Sequence, residues 1–286
     1  MATVAPYHPV RRGFSRRRFL RLALGGAAGL LTAGGGYSLL EAGWLRLTRV
    51  TVPVPCLPRP FAGKTVALLA DIHHGRHTGL AYVRRAVQMT NDAAPDLIAL
   101  AGDYVHGGAQ YIGPCFEALR ELRAPLGVYA VLGNHDRWAN GLQTRQAIAA
   151  AGITNLTNTG VWVQVDGARM RVAGVGDLWT ESQDLAAALG DMAPNETCLL
   201  LSHNPDYTEG ITDPRVGLVL SGHTHGGQVH CPWAGAFITP SRYGLKYLEG
   251  LVRTPYTQVY ISRGIGTIWP PMRFLCRPEI VLLTLA

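Results

Sequence analysis

The sequence predicts an α/β fold, and three observations support this. Hydrophobic residues make up 48% of the 286-residue chain and charged residues 16%, which allows a large buried core and excludes intrinsic disorder. Short apolar runs of strand length recur along the chain, and each ends in a cluster of polar residues. Helix-like segments alternate with these runs. Such alternation favours a largely parallel sheet with helices outside it.

The apolar runs are continuous, which is typical of strands that are buried on both faces. They cover residues 65–70, 97–101, 128–132, 199–201 and 216–220. The intervening segments predict helices at residues 80–93, 114–123, 141–151 and 182–190.

Three further segments complete the predicted domain. Residues 159–176 alternate apolar and polar residues around Asp166 and Gly167, which predicts a β-hairpin. Residues 258–262 and 280–285 predict C-terminal strands. Four prolines within residues 51–60 predict a linker or an edge strand.

The positive charge is concentrated at the N-terminus. Residues 1–21 contain six arginines and no acidic residue, so they supply +6 of the formal charge of +7 and leave about +1 for the rest. A nearly neutral domain gives no support for a nucleic-acid-binding surface.

The N-terminal segment resembles a twin-arginine export signal, whose pattern is S/T-R-R-x-F-L-K. Ser15, Arg16, Arg17, Phe19 and Leu20 fit this pattern, and a run without charges follows over residues 22–40. Such a signal is recognised by export machinery that transports folded proteins. An ordinary transmembrane anchor is the alternative, because the run is just long enough to span about 30 Å of hydrocarbon.

The two alternatives divide the chain in the same way. We expect residues 1–45 to form a signal or anchor segment at the membrane and residues 46–286 to form one folded domain. We therefore expect the domain on the extracytoplasmic face of the cytoplasmic membrane, with the segment retained as an anchor if it is not cleaved.

Polar clusters follow the five predicted buried strands. Because sites in open α/β sheets form at the carboxyl ends of the strands, we expect these clusters to converge. They are Asp71 with His73, Asp103, Asn134 with His135 and Asp136, His203, and His223 with His225.

Seven side chains of these clusters are suitable metal ligands. They offer two carboxylates, one amide oxygen and four imidazoles, enough for two ions with open coordination positions. This mixture of nitrogen and oxygen donors suits Mn, Zn, Fe or Ni better than Ca or Mg alone. A lone buried histidine is usually structural, but five ordered clusters predict a site for two divalent metal ions.

The order of the clusters across residues 71–225 resembles the calcineurin-like metallophosphoesterase family, whose pattern is D-x-H, G-D, G-N-H-D/E, H and G-H-x-H. The segments at residues 239–244, 262–266 and 276–280 resemble its membrane-associated bacterial branch. The resemblance implies a four-layer αββα sandwich of two mixed sheets. One departure is Ala70, which stands where the family usually has serine.

The resemblance also implies a role for each candidate residue. One metal is expected on Asp71, His73 and His225, and the other on Asn134, His203 and His223, with Asp103 bridging them. A water shared by the two metals would attack phosphorus. His135 is the expected general acid or transition-state donor, and Asp136 is expected to orient it from outside the ligand set.

These roles imply a phosphodiesterase that acts on a lipid or nucleotide phosphoester. One alternative is a pyrophosphatase that cleaves UDP-2,3-diacylglucosamine in lipid A synthesis, although an exported domain would not meet that cytoplasmic substrate. A second alternative, a metal-binding protein without turnover, is disfavoured because the complete ligand set and His135 are present.

Overall fold

The protein is described by a computed structural model that covers residues 16–286. Ser15 of the predicted export signal lies outside the described residues. The chain forms two compact units, of which the first ends at Tyr37 and the second is Ser38–Ala286. Helix α1 (Arg16–Glu41) supplies the described part of the first unit. None of the helices between residues 16 and 286 combines the length and the apolar character needed to cross a membrane.

Two six-stranded sheets form the second unit. In spatial order, the first sheet consists of β1 (Arg46–Val52), β14 (Glu279–Leu285), β2 (Thr65–Leu69), β3 (Leu97–Leu100), β4 (Val128–Ala130) and β5 (Thr154–Asn155). The second consists of β12 (Gly250–Arg253), β13 (Gln258–Ile261), β9 (Val216–Ser221), β8 (Cys198–Leu201), β7 (Ala168–Gly174) and β6 (Thr159–Val165). A small ribbon pairs β10 (His230–Cys231) with β11 (Gly235–Ala236).

Both sheets are mixed, as the family resemblance implies, and not largely parallel, as the strand–helix alternation alone favours. In the first sheet, β2 to β5 are parallel, whereas β14 runs antiparallel to β2 and parallel to the edge strand β1. In the second sheet, β7, β8, β9 and β13 are parallel, and antiparallel β6 and β12 form the edges. The predicted hairpin is the pair β6 and β7.

The sheets pack face to face and carry helices on their outer faces. Leu68 of β2 and Leu199 of β8 belong to one buried cluster between the sheets. Val83 and Phe116 belong to a cluster that covers the other face of the first sheet, and Leu189 to one that covers the second. The four-layer αββα sandwich is thereby confirmed.

The outer helices differ from the predicted ones mainly in their ends. They are α2 (Leu80–Asp92), α3 (Ile112–Leu119), α4 (Asn134–Ala150) and α5 (Leu185–Leu189). The prediction placed the start of α4 seven residues too late. Its first turn forms because the Asp136 side chain accepts the Gly133 N–H, and the helix is then kinked at Asn140.

The last turn of α1 is part of the second unit. Glu41 is buried, and its two carboxylate oxygens accept the backbone N–H groups of Leu275 and Cys276 at 2.8 Å each. The carbonyl of Ser38 accepts the Arg273 N–H at 3.0 Å. These contacts attach the C-terminal end of α1 to the 273–276 segment.

Candidate metal centre

The strand ends bring all seven predicted ligands together. Asp71 and Asp103 follow β2 and β3, and Asn134 begins α4, the element that comes after β4. His203 and His223 follow β8 and β9 of the second sheet. All seven side chains are buried. The carboxyl edges of both sheets therefore meet at one site.

A first ligand group consists of Asp71, His73 and His225. The Nε2 atoms of His73 and His225 are 3.0 Å apart, and Asp71 Oδ1 lies 3.5 Å from His225 Nε2 and 3.9 Å from His73 Nε2. All three donor atoms can reach a single ion.

A second ligand group consists of Asp103, His203 and His223. Asp103 Oδ2 is 3.2 Å from His203 Nε2, which lies 3.2 Å from His223 Nδ1. Asn134 Oδ1 is buried and has no hydrogen-bond partner among the described residues. The Asn134 amide oxygen is therefore free to bind an ion.

The hydrogen bonding of this site fits bound cations. His203 Nδ1 lies 2.7 Å from the Ala101 carbonyl and donates to it, so Nε2 of the neutral ring carries a lone pair. That lone pair faces the Asp103 carboxylate, which is also an acceptor. Two acceptors at this distance need a cation between them. Burial alone would lower the pKa of His203, but Asp103 raises it to about 10, so without a metal a proton takes that place.

The electrostatics of the first group favour the ligating form of histidine. Burial lowers the pKa values of His73 and His225 well below the ordinary histidine value, so both rings are neutral at pH 7. A metal binds neutral imidazole, and no proton has to leave these rings first. The donor set thus fits the two divalent ions that the sequence predicts.

The backbone at the ligands has an uncommon conformation. Asp71, His73, Asp103, His223 and His225 all have positive φ, between 46° and 71°. Residues in this left-handed region cluster at functional sites, where the surrounding structure holds them. This conformation turns the chain sharply at each strand end and directs the side chains inwards.

Two glycines permit the close packing of these turns. A Cβ atom at Gly133 would lie 2.2 Å from Asp103 Oδ1, and one at Gly222 would lie 2.3 Å from Asp71 Oδ2. Any larger residue would collide with a carboxylate of the candidate metal centre.

Asp136 has a different partner from the one expected. Its carboxylate accepts the backbone N–H groups of Gly133, Asp103 and Tyr104 at 2.8–2.9 Å. Within the described chain no hydrogen bond joins Asp136 to the His135 ring. Asp136 thus stabilises the Asp103 turn, because two of these donors, the Asp103 and Tyr104 N–H groups, belong to that turn.

The His135 ring instead contacts His106. The two Nδ1 atoms are 3.1 Å apart, so one ring donates to the other and His135 Nε2 stays available to a substrate. The His135 N–H also donates to Asp103 Oδ1 at 2.8 Å. Sequence reasoning passed over His106, since it follows Asp103 at a spacing outside the family pattern.

Two other residues near the ligands also escaped sequence reasoning. The half-exposed Trp179 packs edge-on against the His223 ring, with centroids 4.4 Å apart. Arg273 is fully buried, and its guanidinium donates to carbonyl oxygens that include Gly266 at 2.6 Å and His225 at 3.4 Å. Both residues lie outside the metal-ligand motifs, so the motif pattern does not predict that either of them lies beside a ligand.

Comparisons with known proteins agree with this geometry. Residues 64–227 match the family model of the calcineurin-like phosphoesterases. The chain is 35% identical over 279 residues to the uncharacterized metallophosphoesterase YkuE of Bacillus subtilis, which covers 95% of this chain and 97% of that protein. It is 32% identical over 280 residues to the phosphodiesterase YaeI of Escherichia coli, with coverage of 95% and 99%.

A more distant relative is the UDP-2,3-diacylglucosamine pyrophosphatase LpxG of Chlamydia trachomatis. It is 27% identical over 300 residues, which cover 85% of this chain and 90% of that protein. The matches to the family model and to YkuE extend over most of the chain and include the metal-binding motifs. The chain belongs to the calcineurin-like phosphoesterase family and is a metal-dependent phosphoric ester hydrolase.

Proposed function

We propose that the protein is a phosphodiesterase that uses two divalent metal ions. The position of Asp103 is the observation that carries this proposal. Its Oδ2 atom lies 3.5 Å from His73 Nε2 in the first ligand group and 3.2 Å from His203 Nε2 in the second. One carboxylate can thus bind both ions at once.

The protein residues around the substrate phosphorus have separate roles. Divalent ions held by these two ligand groups would supply Lewis acidity and would lower the pKa of a nucleophilic water. Asp103 holds the two ligand groups at a fixed separation. His135 Nε2 is available to hold a proton for the departing oxygen, while His135 Nδ1 is oriented by His106.

A diester is the favoured substrate because of the relatives. YaeI is a phosphodiesterase, and its similarity extends over nearly the whole of both chains. Loops outside the shared motifs decide the substituents that the site accepts.

The first test uses full-length protein, stripped by a chelator and reloaded separately with Mn, Zn, Fe or Ni. Hydrolysis of bis(p-nitrophenyl) phosphate is compared with that of p-nitrophenyl phosphate. We expect metal-dependent diester cleavage that Asp103→Asn lowers at least about 10³-fold, because loss of the shared ligand removes several kcal/mol of charge stabilisation.

Asp96→Asn is the matched control, since it makes the same chemical change at the opposite edge of the sheet and should retain turnover. Equal activity of Asp103→Asn and wild type would contradict the bridging role. Preference for the monoester would contradict the phosphodiesterase assignment.

The alternative is a pyrophosphatase for a nucleotide-linked lipid, which the similarity to LpxG supports. It predicts cleavage of UDP-2,3-diacylglucosamine at a rate far above that of any simple diester. A product analysis that shows UMP and the lipid monophosphate would establish this alternative, and intact substrate would exclude it.

We also propose that the domain is exported and remains at the membrane through residues 1–45. A pair of reporters fused after residue 286 tests this, one active only outside the cytoplasm and the other only inside. Extracytoplasmic activity that is lost when Arg16 and Arg17 become lysine supports a twin-arginine route, and cytoplasmic activity contradicts export.

A further inference from the structure

An apolar groove lies beside the first ligand group. It is a cavity of about 330 Å³, and Thr224 and the metal ligand His225 form part of its wall. This volume is at the lower end of the range for small-molecule sites. The other walls come mainly from Val229, Phe237, Ile238, Ile268, Trp269 and Pro270.

The walls of this groove are held in place by a buried side chain. Gln228 is nearly inaccessible, accepts the Ile268 N–H at 2.8 Å and donates to the Pro270 carbonyl at 3.2 Å. These bonds join the 226–238 segment to the 268–270 segment. The groove is therefore preformed between two linked segments.

The rim of the groove is unusually apolar for an accessible surface. Phe237, Ile238 and Trp269 are each more than 70% exposed, and the nearby Trp233 side chain is fully exposed. Single exposed hydrophobic residues are ordinary, but several on two linked segments mark a binding surface.

The charge distribution indicates what the groove binds. Among the described residues that line it, none is Lys, Arg, Asp or Glu, so it offers no partner to an ionic group. Its His225 wall belongs to a centre that attracts anions once metals are bound. A ligand that fills both regions has an anionic end and a long uncharged end.

We propose that this groove binds the hydrocarbon chain of the substrate, which makes the substrate class an amphipathic phosphoester such as a lipid diester. This proposal rests on the proposed function, because it places the substrate phosphorus at the metal centre. The groove then holds the substituent that extends past His225, and chain length becomes a determinant of affinity.

A binding series tests the proposal without requiring turnover. Monoalkyl phosphates from ethyl to octyl, below their critical micelle concentrations, are titrated into full-length protein loaded with Mn²⁺, and heat is recorded. We expect affinity to rise about fourfold for each added methylene until the groove is full, as burial of apolar surface predicts.

Two variants locate the effect. Phe237→Ser removes a groove wall and should reduce the octyl-to-ethyl affinity ratio at least tenfold. Tyr256→Ser is the matched control, because this half-exposed tyrosine lies in the turn between β12 and β13, away from the carboxyl edge of β13, and should leave the ratio unchanged.

Other outcomes contradict the proposal in distinguishable ways. An affinity that is independent of chain length in wild type excludes the groove, while hydrolysis of a short diester would still support the proposed function. Equal octyl-to-ethyl affinity ratios in wild type and Phe237→Ser would mean that the hydrocarbon chain of the ligand binds outside the groove. If Phe237→Ser keeps the wild-type octyl-to-ethyl affinity ratio but loses binding to phospholipid vesicles, the rim is a membrane contact instead. Failure to bind any alkyl phosphate contradicts this proposal, whereas metal-dependent cleavage of bis(p-nitrophenyl) phosphate would still support the proposed function.

Discussion

Strand β3 separates two carboxylates that have opposite environments. Asp96 precedes the strand, and its oxygens accept the Thr65 N–H at 2.8 Å and the Thr65 hydroxyl at 2.9 Å, with Lys64 Nζ at 3.0 Å. Asp103 follows the strand, and its Oδ2 atom faces the two imidazole nitrogens of His73 and His203. The chain itself satisfies the first carboxylate, whereas the second needs a cation.

Asp96, at one end of β3, thus contributes to the stability of the sheet, whereas Asp103, at the other end, belongs to the candidate metal centre. A carboxylate that is paired with donors of its own chain contributes to folding under all conditions in which it is ionised. A carboxylate that faces lone pairs contributes only when a metal or a proton is bound. The following predictions test this contrast, from the largest expected effect to the smallest.

After Asp103→Asn, His135→Ala is expected to have the largest effect on turnover. Loss of a positioned proton donor should lower kcat for the diester about 10²–10⁴-fold. Metal content, measured by elemental analysis, should stay at two ions per chain because His135 is outside both ligand groups. Loss of metal would show that His135 is itself a ligand. His77→Ala, on the loop after β2, serves as the matched histidine control.

Removal of metal should destabilise the carboxyl edge. At a free metal concentration of about 1,000 times Kd, binding contributes about 4 kcal/mol, so a chelator should lower the thermal midpoint by several degrees. Asp103→Asn should show a much smaller chelator effect. An identical midpoint with and without chelator would mean that the metals bind folded and unfolded chains equally.

Asp96→Asn is expected to cost about 1 kcal/mol of unfolding free energy at pH 7, because water screens part of its pairing with Lys64. Partial burial acts to raise the Asp96 pKa, but the bonds from Thr65 and Lys64 outweigh it and lower that pKa below the ordinary value. The contribution is therefore complete above the unfolded pKa of about 3.9 and is lost as pH falls through the folded pKa.

Urea unfolding of wild type and Asp96→Asn at pH 7 and pH 3 measures this difference. The gap between the two proteins should narrow at the lower pH. A difference in unfolding free energy that is the same at both pH values would show that Asp96 stabilises the fold as a hydrogen-bond acceptor and not through its charge.

The apolar runs were sufficient for the α/β class and for the convergence of the polar clusters because both depend on a regular pattern, whereas the four-layer sandwich was implied by the family resemblance. Continuous apolar runs specify strands that are buried on both faces, and such strands end at a common edge. Asp71 and His203 are far apart in the sequence, yet each lies just after the end of one of these runs. Their convergence is therefore a consequence of sheet topology.

Contacts made by single side chains could not be predicted in this way. Glu41 lies in the segment predicted as a leader, whereas its partners Leu275 and Cys276 are more than 230 residues away. The apolar groove depends on Gln228, whose bonds reach across forty residues to Ile268. No periodicity connects such pairs, since neither partner belongs to a repeating element.

The left-handed backbone at the ligands restricts which residue types can serve there. Aspartate and histidine bind metals, and together with asparagine they tolerate positive φ better than other residues with side chains. Asp71, Asp103 and His223 are residue types that offer a donor atom and also tolerate the positive φ of their turns. Glutamate carries the same carboxylate but lacks this tolerance. A designer who transplants this centre must copy the turns before the ligands.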